Sequence, residues 1–332
     1  MNTTPTRLLA IVVTTLSVAG ILFALGPRPI SMAENQTGDK TLSNTILNNA
    51  KPGHHQISSF ALFGDDVVFG GLGADADTEI EIGSITKTFT AELLRQQIEA
   101  GDISLDTRVG EILDVGDTAI ADVTMKELAT HTSGLPRVRV TLRSLTAGFS
   151  NVNPYAGETT HDIIHKASNS KLSKRGESNY SNLGFGLLGA VLAENAKVTY
   201  PELVQRQIFQ PLNMNDTYVM EPGTVPETAP RGLSFNGKSA DPWEMEGCAA
   251  AGAIRSTPRD MVKFAKHMLE ITPPEYTWIA EEDGIFWHNG GTGGYSTMLL
   301  IDVAQQRAAF VAGDTPQDTE YLAKQLLEVK EQ

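Results

Sequence analysis

Ser84 and Lys87 stand three residues apart in "EIGSITKTFTAELLRQQIEAG" (81–101), at the start of an apolar-periodic stretch. Ile85, Phe89, Leu93, Leu94 and Ile98 recur at helical spacing and Gly101 closes the run, so serine and lysine share one face of a first turn. A serine there has backbone N–H groups beside it and the positive end of the helix dipole behind it. Both stabilise the oxyanion formed when its hydroxyl attacks a carbonyl. A lysine one turn on, desolvated to its neutral form, can take the hydroxyl proton. Alone, the pair is better explained by an N-capping serine and a solvated lysine.

Two more clusters carry reactive groups. "NYSNLG" sets Tyr180 and Asn182 two residues apart in a turn before a helix. Tyrosine relays a proton where nearby cations lower its pKa; asparagine offers oxygen to a lysine amine and nitrogen to a substrate amide. The plainer reading is a turn asparagine and a half-buried tyrosine. "WHNGGTGGY" (287–295) places four glycines after a strand's aromatic residues, which lets a substrate backbone approach the strand edge. His288 would supply a cation or hydrogen bond, and the N–H near Gly291 an oxyanion donor; the alternative is a glycine-rich hairpin turn.

Other patterns carry less. "GFGLLG" (184–189) matches a dinucleotide-binding spacing but has no buried strand before it, so close helix packing explains it better. "HDIIH" (161–165) spaces two histidines as zinc ligands would be, with Asp162 where a metalloprotease needs glutamate and no evident third ligand; a solvated helix face is expected. The one cysteine, Cys248, excludes an internal disulfide and a cysteine-based metal cluster.

The elements that must hold these groups are strands at both chain ends and helices between. "QISSFALFGDDVVFGGLG" (56–73) reads as two strands around a Gly-Asp-Asp turn; "GIFWHNGG", "YSTMLLID" and "QRAAFVAGD" read as three late strands. "TPRDMVKFAKHMLEI" (257–271) and "DTEYLAKQLLEVK" read as helices. The expected fold class is α/β (α+β): one antiparallel sheet built from both chain ends, flanked by helices, with a mostly helical insertion over about 102–230. Residues 34–55 read as a linker with one short helix, and 56–332 as the main domain.

With 332 residues, 41% apolar and 20% charged, the chain has ample length for a sizeable core. Its formal charge of −14 repels phosphate backbones, which disfavours nucleic-acid partners. The N-terminus differs in kind: after Arg7 there is no charged residue until Arg28, and the apolar run Leu8–Leu25 approaches the roughly 20 residues of a bilayer crossing. "SMA" (31–33) offers small residues for a signal peptidase. Residues 1–33 are therefore expected to be a signal peptide or, slightly favoured, a membrane anchor. Either places the rest of the chain outside the cytoplasm.

The order S-x-x-K, Y-x-N and a basic residue before x-G on a late strand resembles the class C β-lactamase and DD-peptidase superfamily of penicillin-binding serine hydrolases. "ELATHTSGLP" (127–136), "QPLNMNDTYV" (210–219) and "AAAGAIRSTPRDMVKFAKHML" (249–269) share the likeness, which covers about residues 56–316. The resemblance implies Ser84 as acylated nucleophile, Lys87 as base and Tyr180 as proton relay to the leaving group. It implies that Asn182 lines the cleft and that the N–H groups of Ser84 and Gly291 form an oxyanion hole. His288-Asn289-Gly290 stands where many members have Lys-Thr-Gly. Histidine titrates near pH 6.5, so binding of a substrate carboxylate is expected to weaken as pH rises through that range. Asn289 lacks the threonine hydroxyl but can donate its amide. The connection 272–286 is shorter than the resemblance implies, and "HTSGLP" reads as structural. The implied activity is acyl transfer from β-lactams, D-Ala-D-Ala peptides or small esters, with no metal or organic cofactor. The competing reading is a membrane-tethered penicillin sensor or a non-catalytic homologue.

Overall fold

The computed structural model describes residues 13–15, 26–137, 151–281 and 284–329. Among the described residues, ten strands form two sheets. The larger contains β1 (Gln36–Gly38), β2 (Ile57–Phe63), β3 (Asp66–Leu72), β7 (Ile279–Ala280), β8 (Ile285–Gly291), β9 (Ser296–Asp302) and β10 (Arg307–Gly313). Its order is β1-β3-β2-β10-β9-β8-β7, and every pairing is antiparallel. The second strand of the chain and the last thus meet near its centre, where Phe60 of β2 lies opposite Phe310 of β10. A small sheet joins β4 (Ile80–Glu81), β6 (Ile254–Ser256) and β5 (Tyr218–Val219).

The central strands are buried on both faces, which explains why they read as continuous apolar runs. Side chains alternate along a strand. Leu299, Ile301, Phe310 and Phe60 enter the main core; Met298, Leu300, Val311 and Ile57 enter a second core on the opposite face. That outer face is covered by α1 (Lys40–Asn49) and α6 (Glu320–Leu327), whose Leu42, Ile46, Leu322 and Leu326 belong to the second core. The stretch 34–55 holds its expected short helix, α1. It also holds β1, which pairs with β3, so this stretch completes the sheet instead of spanning open solvent as a linker.

On the inner face lie α2 (Thr86–Glu99), α3 (Thr160–Ser168), α4 (Asn182–Ala196) and α5 (Pro258–Ile271). Thr257 caps α5 by accepting from the Asp260 N–H, with Pro258 in the first turn. Helix α2 is buried beyond the apolar stripe that its spacing marks: every residue from Thr86 to Leu94 is buried. Phe89 stacks on Phe264 of α5 at 3.8 Å between ring centroids and meets Phe209 edge-on at 5.8 Å. The glycines of "GFGLLG" lie inside α4, where a Cβ on Gly189 would stand 2.3 Å from Ala250 Cβ. Close packing is their use. No helix among the described residues is long and apolar enough to cross a membrane. The run Leu8–Leu25 lies outside the described residues apart from 13–15.

Candidate active site

Ser84 occupies a single 3-10 turn, Gly83–Ile85, that feeds directly into α2. Gly83 has φ +52, and a Cβ there would lie 2.6 Å from the Gly291 nitrogen. Only glycine lets the end of β8 close on the turn that carries the serine. A Cβ on Gly290 would lie 2.0 Å from the Ile82 carbonyl oxygen, so this glycine is filled by the protein's own chain. The expectation that Gly290 leaves room for substrate is corrected: it leaves room for Ile82. Gly291, with only Tyr295 O within 4 Å of its built Cβ, is the open one.

Two side chains converge on the Ser84 hydroxyl. Tyr180 Oη donates to Ser84 Oγ at 2.6 Å, and Lys87 Nζ lies 3.1 Å from the same oxygen. Lys87 also donates to the Ala251 carbonyl at 2.6 Å. It is fully buried, and burial, aided by the Arg137 charge, holds its pKa well below the ordinary 10.5. The neighbouring Cys248 opposes that shift but does not overcome the burial. Burial raises Tyr180, and the nearby Arg137 guanidinium offsets this only in part. The lowering by cations on which a tyrosine relay is conditioned is thus not the net result here, and the resting phenol is a proton donor.

Tyr180 is held by its neighbours. His131 Nδ1 accepts the Ser181 N–H at 3.1 Å, and its ring lies 4.5 Å from that of Tyr180. Burial, then the Lys87 charge, lowers His131 to about 3, so it is neutral and structural, as its Gly-Leu-Pro context suggested. Asn182 starts α4, capped by Ser181. Its Nδ2 donates to Tyr155 Oη at 2.7 Å, while its Oδ1 is buried without a partner. The expected bond from its oxygen to the lysine is absent, because the Ala251 carbonyl takes that place. Turning the amide over keeps the Tyr155 bond and again leaves one polar atom free.

His288 and Asn289 diverge, as alternation along β8 requires. His288 is buried; Asn289 is exposed on the other face, where its Nδ2 donates to Glu320 of α6. The expectation that Asn289 offers its amide to substrate is corrected accordingly. The His288 Nδ1 donates to the Asn289 carbonyl at 2.6 Å, which fixes the neutral tautomer with Nε2 as acceptor. Burial and then the Lys87 charge lower His288 to about 4. The expected change near pH 6.5 therefore moves to about pH 4.

A recess beside Ser84 is lined by Tyr155, Asn182, Trp243, Met245, Ala251 and Gly252. The Trp243 and Tyr155 rings meet edge-on at 5.2 Å. Apart from Asn182, these were missed by sequence reasoning. Ala251 acts through a backbone carbonyl, which has no side-chain signature. Tyr155 lies in the "NVNPYAGE" turn, and Trp243 in an irregular stretch; neither matches a motif. His161 and His165 sit on the exposed face of α3 with rings 6.4 Å apart. Among the described residues no group of three His, Cys, Asp or Glu side chains could hold a metal ion.

Known proteins share this sequence pattern and shape. A family model described as beta-lactamase matches residues 59–331. The D-alanyl-D-alanine-carboxypeptidase/endopeptidase AmpH of Escherichia coli (strain K12) is 29% identical over 201 residues, covering 58% of this chain and 49% of that protein. Penicillin-binding protein 4* of Bacillus subtilis (strain 168) is 24% identical over 286 residues, covering 73% of this chain and 62% of that protein. The chain thus spans about half to three fifths of the length of these relatives. The crystal structure of a class C beta lactamase from Rhodobacter sphaeroides superposes with a TM-score of 0.71 at 18% identity, covering 87% of this chain and 98% of that one.

Proposed function

The chain belongs to the beta-lactamase family, and on that premise we propose that it is a serine hydrolase working by acyl transfer, with Ser84 as nucleophile. The observation that carries this reading is the convergence on one oxygen: Ser84 Oγ lies 2.6 Å from a phenol and 3.1 Å from a buried amine. A neutral Lys87 has two N–H groups and one lone pair. One N–H serves the Ala251 carbonyl, and the lone pair can accept the Ser84 proton while Tyr180 donates to Ser84 Oγ. All three polar groups are then satisfied in one direction of proton flow.

In this reading Ser84 attacks a carbonyl and its proton passes to Lys87. The oxyanion is met by the N–H groups of Ser84 and Gly291, which the glycine contact at Gly83 supports. When the leaving group departs, Tyr180 gives it a proton and takes one back from the Lys87 ammonium. Water then hydrolyses the ester. The free polar atom of Asn182 suits a substrate amide. Neutral His288 offers a hydrogen bond where a lysine would offer a charge. Substrates are β-lactams, D-Ala-D-Ala peptides or small esters; the relatives' names, a carboxypeptidase and a penicillin-binding protein, support the first two.

The hydrolase domain is residues 34–332, extended from 56–332 because β1 and α1 complete its sheet and second core, with 102–230 as its helical part. We read residues 1–33 as a signal peptide or, slightly favoured, a membrane anchor, a reading supported by Arg7, the apolar run and the Pro27 and Pro29 break after it. The test is turnover of a chromogenic cephalosporin, a D-Ala-D-Ala peptide and a p-nitrophenyl ester by wild type and Ser84→Ala. Hydrolysis of at least one, lost in the variant, is expected. Equal hydrolysis by the variant would remove Ser84 from the mechanism.

A further inference from the structure

We propose that the turn Ser234–Lys238 is a membrane-contact surface, with Phe235 seated among the headgroups of a phospholipid bilayer beside the exit of the N-terminal run. This rests on reading that run as a retained anchor. Arg28 follows Leu25, where the run ends, by three residues, with only Gly26 and Pro27 between them. The Arg28 N–H donates to the Asn236 carbonyl at 2.7 Å. Three residues reach about 10 Å at most, so the turn lies that close to the end of the run. Gly237 makes the contact possible: it has φ +69, and a Cβ there would stand 2.2 Å from the Arg28 carbonyl oxygen. Farther along the same lead-in, the Ala33 N–H donates to the His55 carbonyl at 2.8 Å, and Met32 packs on the second core. Residues 28–33 are therefore joined to the folded body.

Phe235 is 77% exposed, the only aromatic among the exposed large apolar side chains of the described residues. Its turn is braced. Ser234 Oγ donates to Asn151 Oδ1 at 2.7 Å, Asn236 Nδ2 donates to the same oxygen at 3.1 Å, and the Lys238 N–H donates to Asn236 Oδ1 at 3.0 Å. The ring is thus held outward by a fixed backbone. Pro27, Arg28 and Pro29 are exposed beside it. An aromatic ring with a neighbouring guanidinium at the end of an apolar run is the chemistry of the bilayer interface, apolar below and phosphate above. The same surface adjoins the crevice rim. The Ala240 N–H donates to the Gly232 carbonyl at 2.9 Å, and a Cβ on Gly232 would lie 2.0 Å from Gly294 O, just past β8. The crevice then opens near the membrane plane.

The test uses the full chain, reconstituted into phosphatidylcholine–phosphatidylglycerol vesicles, with an environment-sensitive fluorophore on Phe235→Cys. Cys248 is buried, so the native thiol stays silent. A probe on Ile279→Cys, a position 45% exposed, is the reference. Blue-shifted emission at 235 with quenching by lipid-borne nitroxide, several-fold stronger than at 279, is expected. Gly237→Val, which pushes Arg28 away, should reduce that quenching while leaving hydrolysis of a soluble substrate unchanged. A chain that remains vesicle-bound with a water-exposed probe at 235 overturns this surface and leaves the anchor standing. A blue shift without nitroxide quenching means a second copy covers the ring and also overturns it. Recovery of a soluble chain lacking residues 1–33 overturns the anchor, and this surface with it.

Discussion

Burial gives Lys87 and His288 opposite relations to what their residue types suggest. The lysine, normally a cation, is held toward its neutral form by desolvation, and the histidine is held at about 4 by the same cause. The amine serves as base only when unprotonated, so acylation should fall as pH drops through the lowered Lys87 pKa and should hold above it. Lys87→Met keeps the volume and removes the base. Stopped-flow acylation should slow by roughly 10²–10⁴-fold while the melting temperature changes little. A variant that acylates at the wild-type rate would take the amine out of the reaction. His288 is neutral across the neutral range, so wild type should show no inflection in acylation near pH 6.5. His288→Lys should tighten KM for carboxylate-bearing substrates alone; an unchanged ratio to neutral esters would contradict the account. The residue types and spacing at 84, 87, 180 and 182 were legible without coordinates. Their protonation was not, because it depends on what packs around them from α4 and the Ala249–Gly252 turn.

At the scale of elements, the site is held by contacts that no local pattern encodes. Helix α2 carries Ser84 and Lys87 at its start and is clamped at Phe89 between Phe264 and Phe209. Phe89→Ala should cost about 3–5 kcal/mol, read as a lowered urea midpoint with an unchanged slope. A loss below about 1 kcal/mol would mean the site collapses to fill the cavity. Strands β2, β3, β8, β9 and β10 were readable because each is an apolar run bounded by turn residues. The very short β1, β4, β5, β6 and β7 were not, since strands of two or three residues carry no periodicity. Helix α2 looked amphipathic because Thr86, Thr88, Thr90 and Glu92 are polar, yet all four are buried. Thr90 shows how: its hydroxyl donates to the Ala250 carbonyl at 2.8 Å and meets Tyr200 Oη at 2.8 Å. Polar side chains that satisfy one another in the core cannot be told from surface ones by pattern alone.

Across the whole molecule, the two chain ends close one sheet, and the helical insertion brings Tyr180 to a serine 96 positions away. That closure was legible from the order of strands and helices, but the meeting of Gly83 with Gly291 depends on backbones nearly touching. Global stability should follow the buried histidines. His54 and His288 are lowered to about 4 and His131 to about 3, each mainly by burial. Their unfolded value is near 6.5, so the unfolded chain binds the extra protons. Stability is full above that value and is lost as pH falls toward 4 and 3, by about 1.4 kcal/mol per pH unit for each group. Calorimetric melting between pH 7 and pH 4 should show a steep fall, flatter in His54→Gln; a flat profile would contradict the burial of these rings. The most direct measurement of the central claim is mass mapping of the chain after brief exposure to penicillin. A covalent adduct on the peptide carrying Ser84, absent from Ser84→Ala and much slower to form in Tyr180→Phe, is the predicted result. An adduct on any other residue, or hydrolysis that proceeds in Ser84→Ala, would contradict it.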